Sequence, residues 1–113
     1  MNKAEHFDLD SLSMLEEVME DEFPELIRVF LVDSAPRCDA LRQANDSQNS
    51  DAVREIAHSF KGASANLSAV RLAELCFEVE SAGREGQLDG ISEKIDAIEQ
   101  EFSKVQSILQ SMI

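Results

Sequence analysis

An imidazole, an ammonium group and a position with no side chain lie close together in the stretch Ala57-His58-Ser59-Phe60-Lys61-Gly62. Helical residues three and four apart share a face, so Lys61 and Gly62 flank His58 if this stretch is helical. A nucleophilic ring nitrogen with a cation beside it and open access suits phosphoryl transfer, where positioning and charge stabilisation do most of the work. Glycine inside a helix costs about 1 kcal/mol relative to alanine. Its place on the His58 side, away from the expected core, points to a large molecule approaching the backbone. Ala65, about one turn on, is also small. Ser59 adjoins His58, and Arg54 precedes it by one turn. Ser64 is a weaker candidate, because it points partly to the core side.

The helix that must carry these groups is legible from its apolar residues. At about 100° per residue, Val53, Ile56, Phe60, Ala63 and Leu67 fall opposite His58, whereas Arg54, Lys61, Gly62 and Ala65 fall on its side. His58 is therefore expected in solvent. This third helix is expected from about Asp51 to Leu67, capped by Asn49 or Ser50. A first helix is expected from about Asp10 to Met19, with Asp10 or Ser11 as N-cap. A second begins near Pro24, a residue suited to a first turn, and Pro36 should kink or interrupt it. The fourth starts near Ser68 or Ala69 and buries Leu72, Leu75, Cys76 and Val79. Gly83, Gly86 and Gly90 then mark a loop. In the fifth, Ile91, Ile95, Ile98, Phe102, Val105, Leu109 and Met112 recur in steps of four and three, the seam of bundle packing. The expected fold is all-α, an antiparallel up-down four-helix bundle with a short extra N-terminal helix across one end, in one domain over residues 1–113.

Composition narrows the chemistry. The chain has 113 residues with 23 acidic and 10 basic side chains, a net charge of −13. Nucleic acid and anionic membrane surfaces are poor partners for such a charge, and a monomer is expected. No apolar leader follows Met1, and no stretch reaches the length of a membrane span, so a cytoplasmic setting is expected. Cys38 and Cys76 lie at apolar helical positions and are expected as buried free thiols. The two histidines, His6 and His58, are far apart and no His-x-x-x-His pair occurs, which disfavours a metal site. No second histidine is placed to activate a serine or cysteine, and no Gly-rich nucleotide loop is present.

The stretch from Ala57 to Leu67, continuing through Ala69, Leu72, Leu75-Cys76 and Glu80, closely resembles the signature of histidine-containing phosphotransfer (HPt) domains, bacterial two-component signalling modules. The likeness extends over nearly the whole chain. It implies a phosphocarrier in a multistep phosphorelay, without kinase activity of its own. His58 would accept a phosphoryl group from the receiver aspartate of a hybrid sensor kinase and pass it to the receiver aspartate of a response regulator. The ring nitrogen farther from the backbone would carry it. Lys61 would offset its charge, and Arg54, Gly62, Ala65 and Ser59 would meet the partner. No intrinsic cofactor is implied; Mg²⁺ would arrive with the receiver. The family usually has a glycine where this chain has Ser68, and Ser68 is expected instead to cap the fourth helix. The alternative is a helical adaptor that binds receivers without carrying phosphate.

Overall fold

A computed structural model describes residues 2–113, and among these every regular element is helical. Five α-helices follow in order: α1 (Leu9–Met19), α2 (Phe23–Asp46), α3 (Ser50–Asn66), α4 (Val70–Glu85) and α5 (Ile91–Gln110). Short 3-10 turns occupy Lys3–Glu5 and Glu20–Glu22. Helix α3 packs on α4 and α2, and α5 packs on α4 and α2, closing a ring around one core. Phe102 of α5 sits at its middle, with ring centroids 6.1 Å from Phe30 of α2 and 5.9 Å from Phe60 of α3. Such tilted and edge-on aromatic pairs add to the burial energy.

The α5 seam is buried as its spacing predicts from Ile91 to Leu109, with Met112 half-buried at its end. On α3 the buried stripe is Val53, Ala57, Phe60 and Ser64, while Ile56 and Ala63 are only half-covered. The Ser64 hydroxyl donates to the Phe60 carbonyl at 2.8 Å, so it is a satisfied core residue.

Four expectations about element ends need correction. Helix α1 is capped by Asp8, whose carboxylate accepts from the Ser11 N–H at 3.2 Å, rather than by Asp10 or Ser11. Helix α2 runs through Pro36 without interruption. Pro36 and Val32, the residue whose carbonyl loses its partner, both lie on the solvent side, where water can take the missing bond. Gly83 lies within α4 rather than in a loop: a Cβ there would stand 2.8 Å from the Arg54 nitrogen and 2.9 Å from the Ser50 carbonyl oxygen. The loop itself uses Gly86 and Gly90, at φ +68° and +79°.

Ser68 does not cap α4, which starts at Val70 with Ala69 at the N-cap position and no side-chain cap. Instead it takes the left-handed conformation, φ +60°. Its N–H bonds the Ala65 carbonyl and the Ala69 N–H bonds the Ser64 carbonyl, both at 2.9 Å. This is the paired closure that ends helices on a left-handed residue, where glycine is the usual occupant. The family's glycine at this position thus has a backbone reason. Ser68→Gly is expected to stabilise the fold by about 1 kcal/mol by relieving the Cβ clash. In thermal unfolding the midpoint should rise by about 4 °C; an unchanged or lower midpoint would show that the turn carries no strain.

Candidate functional site

The site forms where α3 crosses α4. At Gly83 the two backbones touch, with Arg54 and Ser50 opposite. One turn along α3 from Arg54 stands His58; about one turn back along α4 from Gly83 stands Glu80. The close approach therefore brings these two side chains together. His58 Nδ1 lies 2.9 Å from Glu80 Oε2. The imidazole is 65% exposed, as the helical arithmetic requires, whereas the Glu80 side chain is 1% exposed.

Three groups hold the Glu80 carboxylate. Arg84, one turn on, donates to Oε2 at 2.8 Å. The Lys61 ammonium lies 2.6 Å from Oε1. His58 is the third. Burial alone would push the carboxyl up, but hydrogen bonding and charge from Lys61 and then His58 outweigh it and hold Glu80 below the ordinary carboxylate range. These side chains seal the carboxylate just beneath the surface rather than deep in the core.

An ionised carboxylate only accepts hydrogen bonds. The proton in the His58–Glu80 contact therefore belongs to Nδ1, an assignment from chemistry rather than from a located hydrogen. In the neutral ring the lone pair is then on Nε2, the nitrogen turned away from Glu80. A carboxylate behind one nitrogen thus aims and primes the other.

Gly62 is open: an added Cβ would meet nothing within 4 Å. Helix packing does not explain it. Beside it runs an open groove of about 560 Å³ between α3 and α4, lined by Lys61, Gly62, Ala65, Ala73 and Phe77. Phe77 is half exposed, and the Lys61 ammonium stands 5.1 Å from its ring centroid. Across α3, Ser59 accepts from Arg37 of α2 at 3.2 Å, and the two border a second shallow groove with Pro36 and Ile56. Arg54 is more loosely held, 3.7 Å from Glu55.

The sequence reading located Arg54, Lys61, Gly62 and Ala65 on the His58 side of α3; Lys61, Gly62 and Ala65 line the α3–α4 groove, whereas Ser59 faces α2 across the helix. The sequence reading held Glu80 only as part of the family likeness and gave no role to Glu80, Arg84 or Arg37. The signal was present: Glu80 falls in the buried register of α4, four residues after Cys76 and three before Gly83. A carboxylate on an apolar stripe needs a partner. Both cysteines are free and buried. Burial pushes the Cys76 thiol up to about 12 and that of Cys38 up to about 11, so neither competes as a nucleophile.

Comparison with known proteins adds three findings. The Hpt domain family matches residues 25–108. The crystal structure of histidine-containing phosphotransfer protein B (HptB) from Pseudomonas aeruginosa PAO1 is similar with a TM-score of 0.91 and 40% sequence identity, over 95% of this chain and 93% of that one. No curated protein sequence matches. Among the described residues, no helix is long and apolar enough to cross a membrane.

Proposed function

This chain belongs to the histidine-containing phosphotransfer domain family, phosphocarriers of the phosphorelay, and on that premise we propose that His58 Nε2 is the atom that carries the phosphoryl group. The observation that supports this is an exposed imidazole whose Nδ1 is committed to the buried carboxylate of Glu80. The donor is the aspartyl phosphate of a hybrid kinase's receiver domain, and the acceptor is the receiver aspartate of a response regulator. As the Nε2–P bond forms, the P–O bond to the receiver carboxylate breaks and the electron pair leaves on that oxygen. Nδ1 keeps its proton, and the ring's new positive charge faces Glu80. The return step reverses these movements.

Lys61 and Arg84, two cations on one carboxylate, leave net positive charge beside the ring in a chain of charge −13. This favours an incoming phosphoryl group. Lys61 offsets the charge on the travelling group. Arg54 and Arg37 are cations on the docking face, where they steer an acidic receiver pocket. Mg²⁺ belongs to that pocket, and this chain supplies no cofactor. The bundle is read as antiparallel and up-down with α1 across one end, acting as one monomeric, cytoplasmic domain.

Incubation with a phosphorylated receiver should place an acid-labile, base-stable phosphoryl group on His58. Failure with every receiver of the source organism would return the chain to an adaptor role. Gly62 tests access separately. Gly62→Gln improves helix propensity by about 0.5–1 kcal/mol, so thermal stability should hold or rise. A long side chain in the receiver's path should nonetheless slow transfer about tenfold or more. Labelling by a small donor such as phosphoramidate should continue. An unaltered receiver rate would show that Gly62 does not face the partner.

A further inference from the structure

The chain has two histidines, and each meets a buried glutamate. The second pair lies outside the phosphoryl-transfer site. His6 Nδ1 stands 2.7 Å from Glu101 Oε2 of α5, with the two side chains only 5% and 4% exposed. Arg71 of α4 faces the other carboxylate oxygen at 3.7 Å. Next to this cluster, the Asp8 N–H donates to the Ser68 carbonyl in the α3–α4 turn at 3.0 Å. Phe7 and Leu12 are buried alongside. The start of α1 is thus fastened to the bundle by one side-chain pair, one backbone bond and two apolar side chains.

Further along α1, Leu15 and Met19 are half-buried against the core, whereas Met14 is 65% and Val18 77% exposed. At its end, Met19 shares a groove with Leu26 and Val29 of α2. Leu26 and Val29 also line a neighbouring groove with Ala63 and Asn66 of α3, the helix of His58. An apolar track therefore runs from α1 to the reactive helix, and it is complete only while α1 is seated.

We infer that the His6–Glu101 pair is a latch that seats α1 as a separable cap on the bundle, so that its closure sets how tightly a receiver docks without altering the reactivity of His58. Segments held by few contacts open without global unfolding. A polar pair suits such a latch, because both groups regain water when the cap lifts. The ring of α2, α3, α4 and α5 keeps its own aromatic centre in either state. The consequence for docking rests on the phosphocarrier reading; the latch itself does not.

The test is hydrogen exchange on the full chain with Glu101→Gln, which keeps the shape of the side chain, and with His6→Gln. Amides of residues 7–19 should exchange about tenfold faster or more in both variants, with α3 to α5 unchanged. The KM for a phosphorylated receiver should rise about threefold or more while kcat and phosphoramidate labelling stay at wild-type levels. Loss of protection throughout the bundle would make the pair an ordinary core contact and overturn the latch. So would unchanged protection of residues 7–19 in both variants. A loosened cap with an unchanged KM would overturn its link to docking. A receiver that fails to label the wild-type chain would count against the phosphocarrier reading, and the exchange data would still decide the latch.

Discussion

His58→Gln is expected to abolish relay while leaving the fold intact. The side chain is largely exposed and bonds Glu80, so the stability change should stay within about 0.5 kcal/mol. Lys61 and Arg84 remain to hold the carboxylate. The glutamine amide nitrogen has its lone pair delocalised into the carbonyl and cannot attack phosphorus. Transfer should fall by about a thousandfold or more, equivalent to about 4 kcal/mol of barrier. A phosphorylated receiver mixed with the variant should keep its label, read by gel autoradiography, while circular dichroism and the thermal midpoint match wild type. Label that still moves through the variant would relocate the site.

Glu80→Gln is the second large effect, and it separates aiming from charge. The neutral amide is nearly the same size, so the pocket stays filled. It can turn its NH₂ towards Nδ1, which selects the tautomer with the lone pair on the wrong nitrogen. It also offers no charge to the phosphorylated ring. Losing a partner that orients a reactive imidazole costs about 10–100-fold by analogy with metal-bound histidines, and a loss of that order in transfer rate is expected. Stability gives an independent reading. The folded carboxyl is held below its ordinary value of 4.5. Ionised Glu80 therefore contributes stability that is fully present above the unfolded value and is lost as pH falls through the lower folded one. The stability difference between wild type and variant should be level from neutral pH down to that region and shrink below it. Urea unfolding across the acid range measures this. A gap that persists undiminished at the acid end would mean that shape rather than charge sustains the pair.

Much of the site could be read from the chain because helical periodicity is local. The placement of His58 opposite Phe60 and Val53 needs only the rise and turn of one helix. Its exposure, and the openness of Gly62, follow. Glu80 could not be placed in the same way. Its partner is 22 residues away on another helix, and only the α3–α4 crossing brings them together. Glu101 repeats the case: it falls between Ile98 and Phe102 on a seam read as wholly apolar, and its partner His6 lies 95 residues back. Pro36 and Ser68 escape a local reading for different reasons. Which side of α2 carries Pro36 is set by tertiary packing, and that side faces water. At Ser68 the turn acts on the backbone rather than on the side chain.

The crossing at Gly83 has a consequence for how such a protein can change. Two main chains meeting directly leave nothing between them to swell, shrink or repack. The spacing that sets the 2.9 Å reach from imidazole to carboxylate is thereby insulated from drift in the surrounding hydrophobic residues. On the proposed reading, outer positions such as Ala65, Val18 and Val29 could then be exchanged to suit a different receiver, with the chemistry carried over unchanged. Partner choice and bond-making occupy separate parts of one scaffold, and a missing methyl group keeps them apart.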